Sequence, residues 1–311
     1  MEGEDVDWYA AIKLPSSVDD FEGHGFVYFD SSQTEWMLSS KPINSPSSAV
    51  GATVKQLYSK DKDLLKIAYN DDWPGTRKAN SGRGHTKGEY DYPESGTKYA
   101  QSLLCISFDV DALPAISQYM RFAQVTPFIT KLPQSIKAPY FEDVMNKKSL
   151  NPSETKFTYS ENIHTSGGTN ITIFSKHKKF NEDLWHDLIA PSLKTPLAVE
   201  TWRNGAARDV GTQCGDGENV YDVTQVQLPS ATFRNSLDHS KWGVSMDESM
   251  PFVCIGDVNR QVSQFKRGGG AGCIRNKNLW KAFYTSVATF EDCKGTGKKP
   301  KPKKKKMLNH L

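Results

Sequence analysis

No run in these 311 residues approaches the roughly 18 apolar residues a membrane-spanning helix needs, so no part of the sequence reads as a membrane anchor. The opening Met1-Glu2-Gly3-Glu4-Asp5 is acidic and has no apolar stretch behind it, so no signal peptide is visible. The five cysteines, Cys105, Cys214, Cys254, Cys273 and Cys293, form no Cys-x-x-Cys pair, and no histidine stands at zinc-finger spacing. A metal site is therefore not expected, and the cysteines read as disulfides or buried thiols, with one left over. There is no short-period repeat, which excludes solenoids and propellers.

Acidic residues are missing beyond Asp292, while eight lysines lie between Lys294 and Lys306. Subtracting those eight from the net charge of +3 leaves a body of −5. A body of that sign repels phosphate in bulk, so a nucleic-acid site in it must work through local charge. The tail, residues 296–311, reads as solvated and disordered; its Lys298–Lys306 stretch also has the composition of a polyanion-binding or nuclear-import segment.

With 37% hydrophobic residues, the rest of the chain is long enough for one large domain or two smaller ones. Asp7–Pro15, closed by its proline, and Phe26–Phe29 read as strands. Ser47-Ser48 can cap a helix over Ala49–Tyr58, whose Val50, Val54 and Leu57 form one apolar stripe. Further strands are predicted at Leu64–Tyr69, Ser102–Phe108, Asn170–Phe174, Leu197–Trp202 and Phe252–Asp257. Helices are predicted over residues 112–124 and over Glu182–Ile189, the latter with Asn181 as its cap. A proline-rich, polar stretch around Lys131–Ser153 suggests a boundary, giving lobes over residues 1–140 and 141–295. Strands and helices mix in both, so the fold class is α/β or α+β.

Two His-x-Lys triplets with small or turn-forming neighbours stand 154 residues apart, His85-Thr86-Lys87 and His239-Ser240-Lys241. On a strand, residues i and i+2 share a face, so each triplet would project an imidazole and an ammonium together. An imidazole can attack or protonate phosphate, and an ammonium neutralises its charge, so two pairs meeting at one phosphate need no metal or other cofactor. Asn259, twenty residues after His239, could hydrogen-bond a phosphate oxygen or orient an imidazole. Arg267-Gly268-Gly269-Gly270 could expose backbone amides to an anion. His164, His177 and His186 read as surface imidazoles, with Lys176, Lys178 and Lys179 making a solvated basic face around His177. Asn170-Ile171-Thr172 is a glycosylation sequon, usable only in the secretory pathway.

Seven ordered segments resemble the deoxyribonuclease II family of animal acid endonucleases. They are Val6–Tyr9 with Lys13–Pro15, Gly84–Gly88, Ser102–Phe108, Asp238–Trp242, Cys254–Arg260, Arg267–Gly270 and Leu279–Phe283. The resemblance implies a phospholipase-D-like fold of two pseudo-symmetric lobes, each with a mixed sheet and flanking helices. It also implies cofactor-free, metal-independent cleavage of DNA to 3′-phosphate and 5′-hydroxyl ends, in lysosomes or secretions. His85, Lys87, His239, Lys241 and Asn259 would be the catalytic set. Disulfides Cys254–Cys273 and Cys214–Cys293 are implied, and Cys105 would pair with a cysteine near the family's mature N-terminus that this sequence does not have. The family pattern also carries a further strand after the first triplet, with the first lobe's Asn; here Gly88-Glu89-Tyr90 passes directly to Asp91-Tyr92-Pro93. An alternative expectation follows: a protein of this family that binds DNA or another partner without cutting it. A polyanion-binding or nuclear protein led by the lysine tail is a third.

Overall fold

The computed structural model describes residues 5–69, 92–136, 140–204, 207–215 and 217–294. The strands, in chain order, are β1 (Trp8–Lys13), β2 (Phe26–Asp30), β3 (Met37–Leu38), β4 (Lys66–Tyr69), β5 (Gln101–Ile106) and β6 (Pro127–Lys131). They continue with β7 (Thr158–His164), β8 (Asn170–Lys176), β9 (Leu197–Glu200), β10 (Val220–Leu228) and β11 (Ala231–Arg234). The last are β12 (Trp242–Ser245), β13 (Phe252–Gly256), β14 (Gly269–Arg275) and β15 (Val287–Glu291). The α-helices are α1 (Ala49–Lys55), α2 (Leu113–Ala123), α3 (Phe141–Met145), α4 (Ala190–Leu193) and α5 (Lys277–Ser286).

Two sheets carry the fold. One has the order β3-β2-β1-β5 and is antiparallel throughout. The other runs β11-β10-β9-β12-β13-β14-β8-β7, with β15 also on β10, and is mixed because β9 and β10 are parallel. A short pair, β4-β6, stands apart.

The period of two along β1 sets the layering. Trp8, Ala10 and Ile12 face inward and share a core with Val27 and Phe29 of β2, Ile171 and Ile173 of β8, and Trp242 and Val244 of β12. Tyr9 and Ala11 face the other way, where Val50 of α1 covers them together with Phe26 and Tyr28. A strand buried on both faces must read as nearly continuous apolar sequence, which Trp8–Ile12 does. The outer face of the large sheet is covered in turn by Trp185, Ile189 and Leu193, packed on Leu197, Val199 and Phe252. The arrangement is helix, sheet, sheet, helix, with α5 closing one end of the central core through Leu279 and Phe283.

Local sequence accounts for the element ends. Ser48 caps α1 by accepting the Gly51 N–H at 3.0 Å, as expected. The helix expected after Asn181 differs in its cap. Asn181 sits in the left-handed region with φ 58°, and Asp183 accepts the N–H groups of Trp185 at 2.6 Å and His186 at 3.0 Å. Asn181 tolerates the αL turn that brings the chain in, and the carboxylate two residues later satisfies the orphan donors. That segment opens as a π-helical turn, Trp185–Ile189, before α4.

Both implied disulfides are present. Cys254–Cys273 joins directly paired residues of β13 and β14, and Cys214–Cys293 ties the loop before β10 to the chain beyond β15. Cys105 is a free thiol on β5.

Candidate active site at the seam between the sheets

The second His-x-Lys triplet lies where the two sheets meet. Ala100 N–H donates to Leu237 O at 2.9 Å, and His239 N–H donates to Ala100 O at 2.9 Å, which lays 237–239 beside the start of β5. One step on, Lys241 N–H donates to Ser102 Oγ at 3.1 Å and Lys241 O accepts the Gly256 N–H at 2.9 Å. The triplet therefore bridges β5 of the small sheet and β13 of the large one. It precedes β12 and is not itself within a strand; its neighbours fix it from both sides.

A cavity of about 450 Å³ opens at this seam, and Gln101, Ser102, His239, Lys241, Asp257 and Arg267 are among the residues lining it. Nε2 of His239 is buried and meets no hydrogen-bond partner among the described residues. Burial, then the charges of Lys241 and Lys13, lower the His239 pKa to about 4. The ring is stacked on Tyr99, with centroids 4.6 Å apart and planes at 10°, and Trp202 meets its edge at 3.8 Å and 74°.

Behind the triplet lie buried acids and a buried base. Asp238 has no exposed surface; its Oδ1 accepts the Ser240 N–H at 2.7 Å, and burial raises its pKa. Glu200, at the end of β9 and opposite Trp242 in the ladder, is also fully buried. Neither of its oxygens has a partner among the described residues, and burial with the nearby Asp238 pushes its pKa well up. Burial without partners thus disfavours the charged form of this carboxyl. Lys13, the last residue of β1, donates Nζ to Thr97 O at 2.8 Å; burial lowers its pKa to about 8, with Asp19 and Asp238 acting against that shift.

Asn259 follows β13 in a segment pinned on both sides. Val258 O accepts the Trp185 indole N–H at 3.0 Å, and Arg260 N–H donates to Thr201 Oγ1 at 3.2 Å. The Arg260 guanidinium is fully buried against Asp183, 3.5 Å away, and against Asp222. The Asn259 Oδ1 is buried without a partner among the described residues, and Asn259 is not among the described residues lining the cavity. His85 and Lys87 lie outside the described residues.

Two of the amides in the Arg267–Gly270 run, expected to offer backbone donors to an anion, are already used. Gly270 N–H donates to Asp257 Oδ1 at 2.8 Å and Arg267 N–H to Gln264 O at 3.1 Å, so neither amide is available. A Cβ on Gly268 would come within 2.3 Å of Ala123 O, and one on Gly270 within 2.1 Å of Phe174 O. The glycines are there because the end of α2 and strand β8 close in on this segment. Lys176 and His177, expected on a solvated face, are both buried; Lys176 instead holds the preceding turn, donating Nζ to the carbonyls of Gln264, Phe265 and Arg267 at 3.0, 2.9 and 2.7 Å.

Tyr99, Trp202, Ser102, Lys13 and Glu200 are residues that motif reading misses. Trp202 and Glu200 lay in a predicted strand, and Lys13 in another, but nothing in their local pattern points to His239. The pairing of residues 237–239 beside β5 brings Tyr99 and Ser102 there, β1 on β5 brings Lys13, and β9 on β12 brings Glu200 and Trp202.

A mixed α/β protein with an imidazole and an ammonium at a cavity between two sheets is the class these features define. The sequence matches the deoxyribonuclease II family model over residues 1–89 and 88–293, and the chain belongs to that family. The two matched stretches meet at Gly88-Glu89, where the sequence departs from the family pattern. The mixed α/β architecture is consistent with the phospholipase-D-like fold of this family. Cell-death-related nuclease 7 of Caenorhabditis elegans is 39% identical over 323 residues, covering 95% of this chain and 88% of that protein. Plancitoxin-1 of Acanthaster planci is 32% identical, covering 93% and 90%. Deoxyribonuclease-2-alpha of Sus scrofa is 30% identical, covering 94% and 89%.

Proposed function

We propose that this chain is an acid endodeoxyribonuclease that cuts DNA without a metal, through a histidine nucleophile, leaving 3′-phosphate and 5′-hydroxyl ends. The observation that carries the reading is His239, a desolvated imidazole with an unpartnered Nε2 beside Lys241 at the seam cavity. Family membership and the names of two of the relatives, a cell-death-related nuclease and a deoxyribonuclease, support DNA as the substrate.

In this reading His239 and His85 face one phosphodiester. One imidazole attacks phosphorus to form an N–P bond, the P–O5′ bond breaks, and the other imidazole gives its proton to the departing 5′ oxygen. Water, deprotonated by that second imidazole, then attacks phosphorus and frees the first histidine and a 3′-phosphate. Lys241 and Lys87 neutralise charge on the non-bridging oxygens, and Asn259 offers its amide to phosphate or imidazole. Which histidine attacks is left open. The two disulfides favour an oxidising compartment, which agrees with a lysosomal or secreted protein; the nuclear alternative drawn from the lysine tail has no support here.

A second reading, a family member that binds DNA without cutting it, draws on the break in the family match at Gly88-Glu89, three to four residues from His85. One assay separates the two. Purified chain should nick supercoiled plasmid at about pH 5 in excess chelator, where the low pKa leaves His239 neutral. If His239 is the attacking imidazole, cutting should fail as the pH drops through about 4, because the ring then holds a proton and cannot attack. Cutting that needs added magnesium overturns the metal-free mechanism, and binding with no cutting at any pH supports the second reading.

A further inference from the structure

An imidazole that must present one nitrogen in a fixed direction is ordinarily oriented by a hydrogen bond to the other. His239 shows no such orienting bond among the described residues: its Nε2 is buried and unpartnered there. Its orientation has another source. Tyr99 lies flat against one face of the ring at 4.6 Å and 10°, while Trp202 meets the ring at 3.8 Å and 74°. Tyr99 and Trp202 also touch each other, at 4.7 Å and 65°, so the three rings form a closed set. Contacts from two planes that are far from parallel leave the imidazole no free rotation about its Cβ–Cγ bond.

Simple core filling does not account for these two rings. Tyr99 and Trp202 are only half-buried, and neither belongs to a hydrophobic core cluster of the fold. Their positions are set by backbone already tied to the triplet: Tyr99 precedes Ala100, whose carbonyl accepts the His239 N–H, and Trp202 follows β9, which pairs with β12. One ring comes from each half of the chain, so the imidazole is gripped from both sides of the seam. We propose that Tyr99 and Trp202 are positioning residues, an aromatic clamp that fixes the plane of the His239 imidazole and shields it from water; this rests on the reading of His239 as a catalytic group.

The clamp also fits the charge around the ring. Lys241 on the same segment and Lys13 at the end of β1 disfavour a protonated imidazole, as does burial. Lys98 lies 5.0 Å from the Tyr99 ring centroid, and Arg203, after Trp202, is held by Asp222 at 3.3 Å. The nearby acids Glu200 and Asp238 are both shifted towards their neutral forms by burial. Removing a ring would admit water to the imidazole and raise its pKa without changing any of these charges.

The test uses the full chain carrying Trp202→Ala, Trp202→Phe, Tyr99→Ala or Tyr99→Phe, with thermal melting to confirm that each is folded. The first readout is the histidine side-chain NMR titration, assigned by His239→Asn. In the wild type the His239 ring protons should sit upfield under the neighbouring ring currents and titrate near 4, and in either Ala variant they should move downfield and titrate closer to 6.5. The second readout is steady-state cleavage. Either Ala variant should lose about 10- to 100-fold in kcat, with KM changed less than about 3-fold, and the aromatic replacements should restore most of it. An unchanged His239 titration in both Ala variants would overturn the clamp. So would a raised KM with kcat intact, the pattern of a base-stacking surface. The NMR result does not depend on catalysis: a clamp seen by NMR in a chain whose His239→Asn variant still cuts DNA would keep the clamp and sink the catalytic reading.

Discussion

Lys241 and Ser102 join the two sheets: the Lys241 N–H donates to the Ser102 hydroxyl at 3.1 Å, across 139 residues of sequence. The contact sits at the cavity wall, where both residues are found, so one serine supports the placement of the candidate phosphate-binding ammonium.

Ser102→Ala removes the acceptor and leaves a partly buried amide unpaired. It should cost about 1–3 kcal/mol of stability and lower cleavage more than that loss explains, because the Lys241 backbone loses its tie to the small sheet. Ser102→Thr keeps the hydroxyl and should keep most of the activity. Urea denaturation and plasmid nicking together check this; a Ser102→Ala protein with wild-type cleavage would show that the bond does not position Lys241.

The two disulfides should differ in weight. Cys254–Cys273 closes 19 residues within one antiparallel pair, whereas Cys214–Cys293 closes 79. Chain entropy alone gives about 3.2 kcal/mol for the first and about 4.5 kcal/mol for the second. Replacing each pair by alanines and comparing denaturation midpoints should therefore place the Cys214/Cys293 variant lower. The reverse order would show that ladder geometry around β13 and β14, not loop closure, sets the cost.

Lys176 holds three carbonyls in the turn that presents Arg267 to the cavity. Lys176→Met keeps the aliphatic stem but strands those carbonyls, and should destabilise the chain by about 3 kcal/mol at neutral pH. Burial lowers the Lys176 pKa to about 8, below its ordinary value of 10.5. The folded chain therefore releases this proton before the unfolded chain does, and the cost of burying the charge fades as pH rises from about 8. Relative to Lys176→Met, the wild type should gain stability across that window, measured by denaturation at stepped pH. A gap that narrows there instead would contradict the buried charge.

Much of this architecture was legible because local rules and the tertiary environment agree. Trp8–Ile12 is apolar on both faces and is a doubly covered strand, and Ser48 caps α1 where its side chain reaches the Gly51 amide. Asn181 and Asp183 show the limit. Both are good caps by residue type, and the αL turn at Asn181 decides which of them reaches the helix. The glycines at 268–270 suit an anion-binding nest by composition, and Gly268 and Gly270 are also needed for close packing on Ala123 and Phe174, which only long-range contacts reveal. His239 and Lys241 could be picked out by spacing, whereas Tyr99 and Trp202 come to His239 through strand pairing between distant segments, which no local pattern encodes.

The candidate catalytic set makes its own prediction about additivity. If His85 and His239 act on one phosphate as attacking group and acid, losing either leaves a step without its partner. His85→Ala and His239→Ala should each lower cleavage to background, and the double variant should be no worse than either alone, since residues that act as a unit are not additive. Lys87→Ala and Lys241→Ala should lower kcat while leaving the melting temperature and weak DNA association close to wild type, because they act on charge developing in the transition state. His85 stands beside the break in the family match at Gly88-Glu89, so it is the more informative of the two histidines. Substantial cutting by His85→Ala would mean that the first triplet has left the chemistry and that His239 works with a different acid. Loss of cutting in both single variants, with DNA still bound in a filter assay, would place the two triplets at one site.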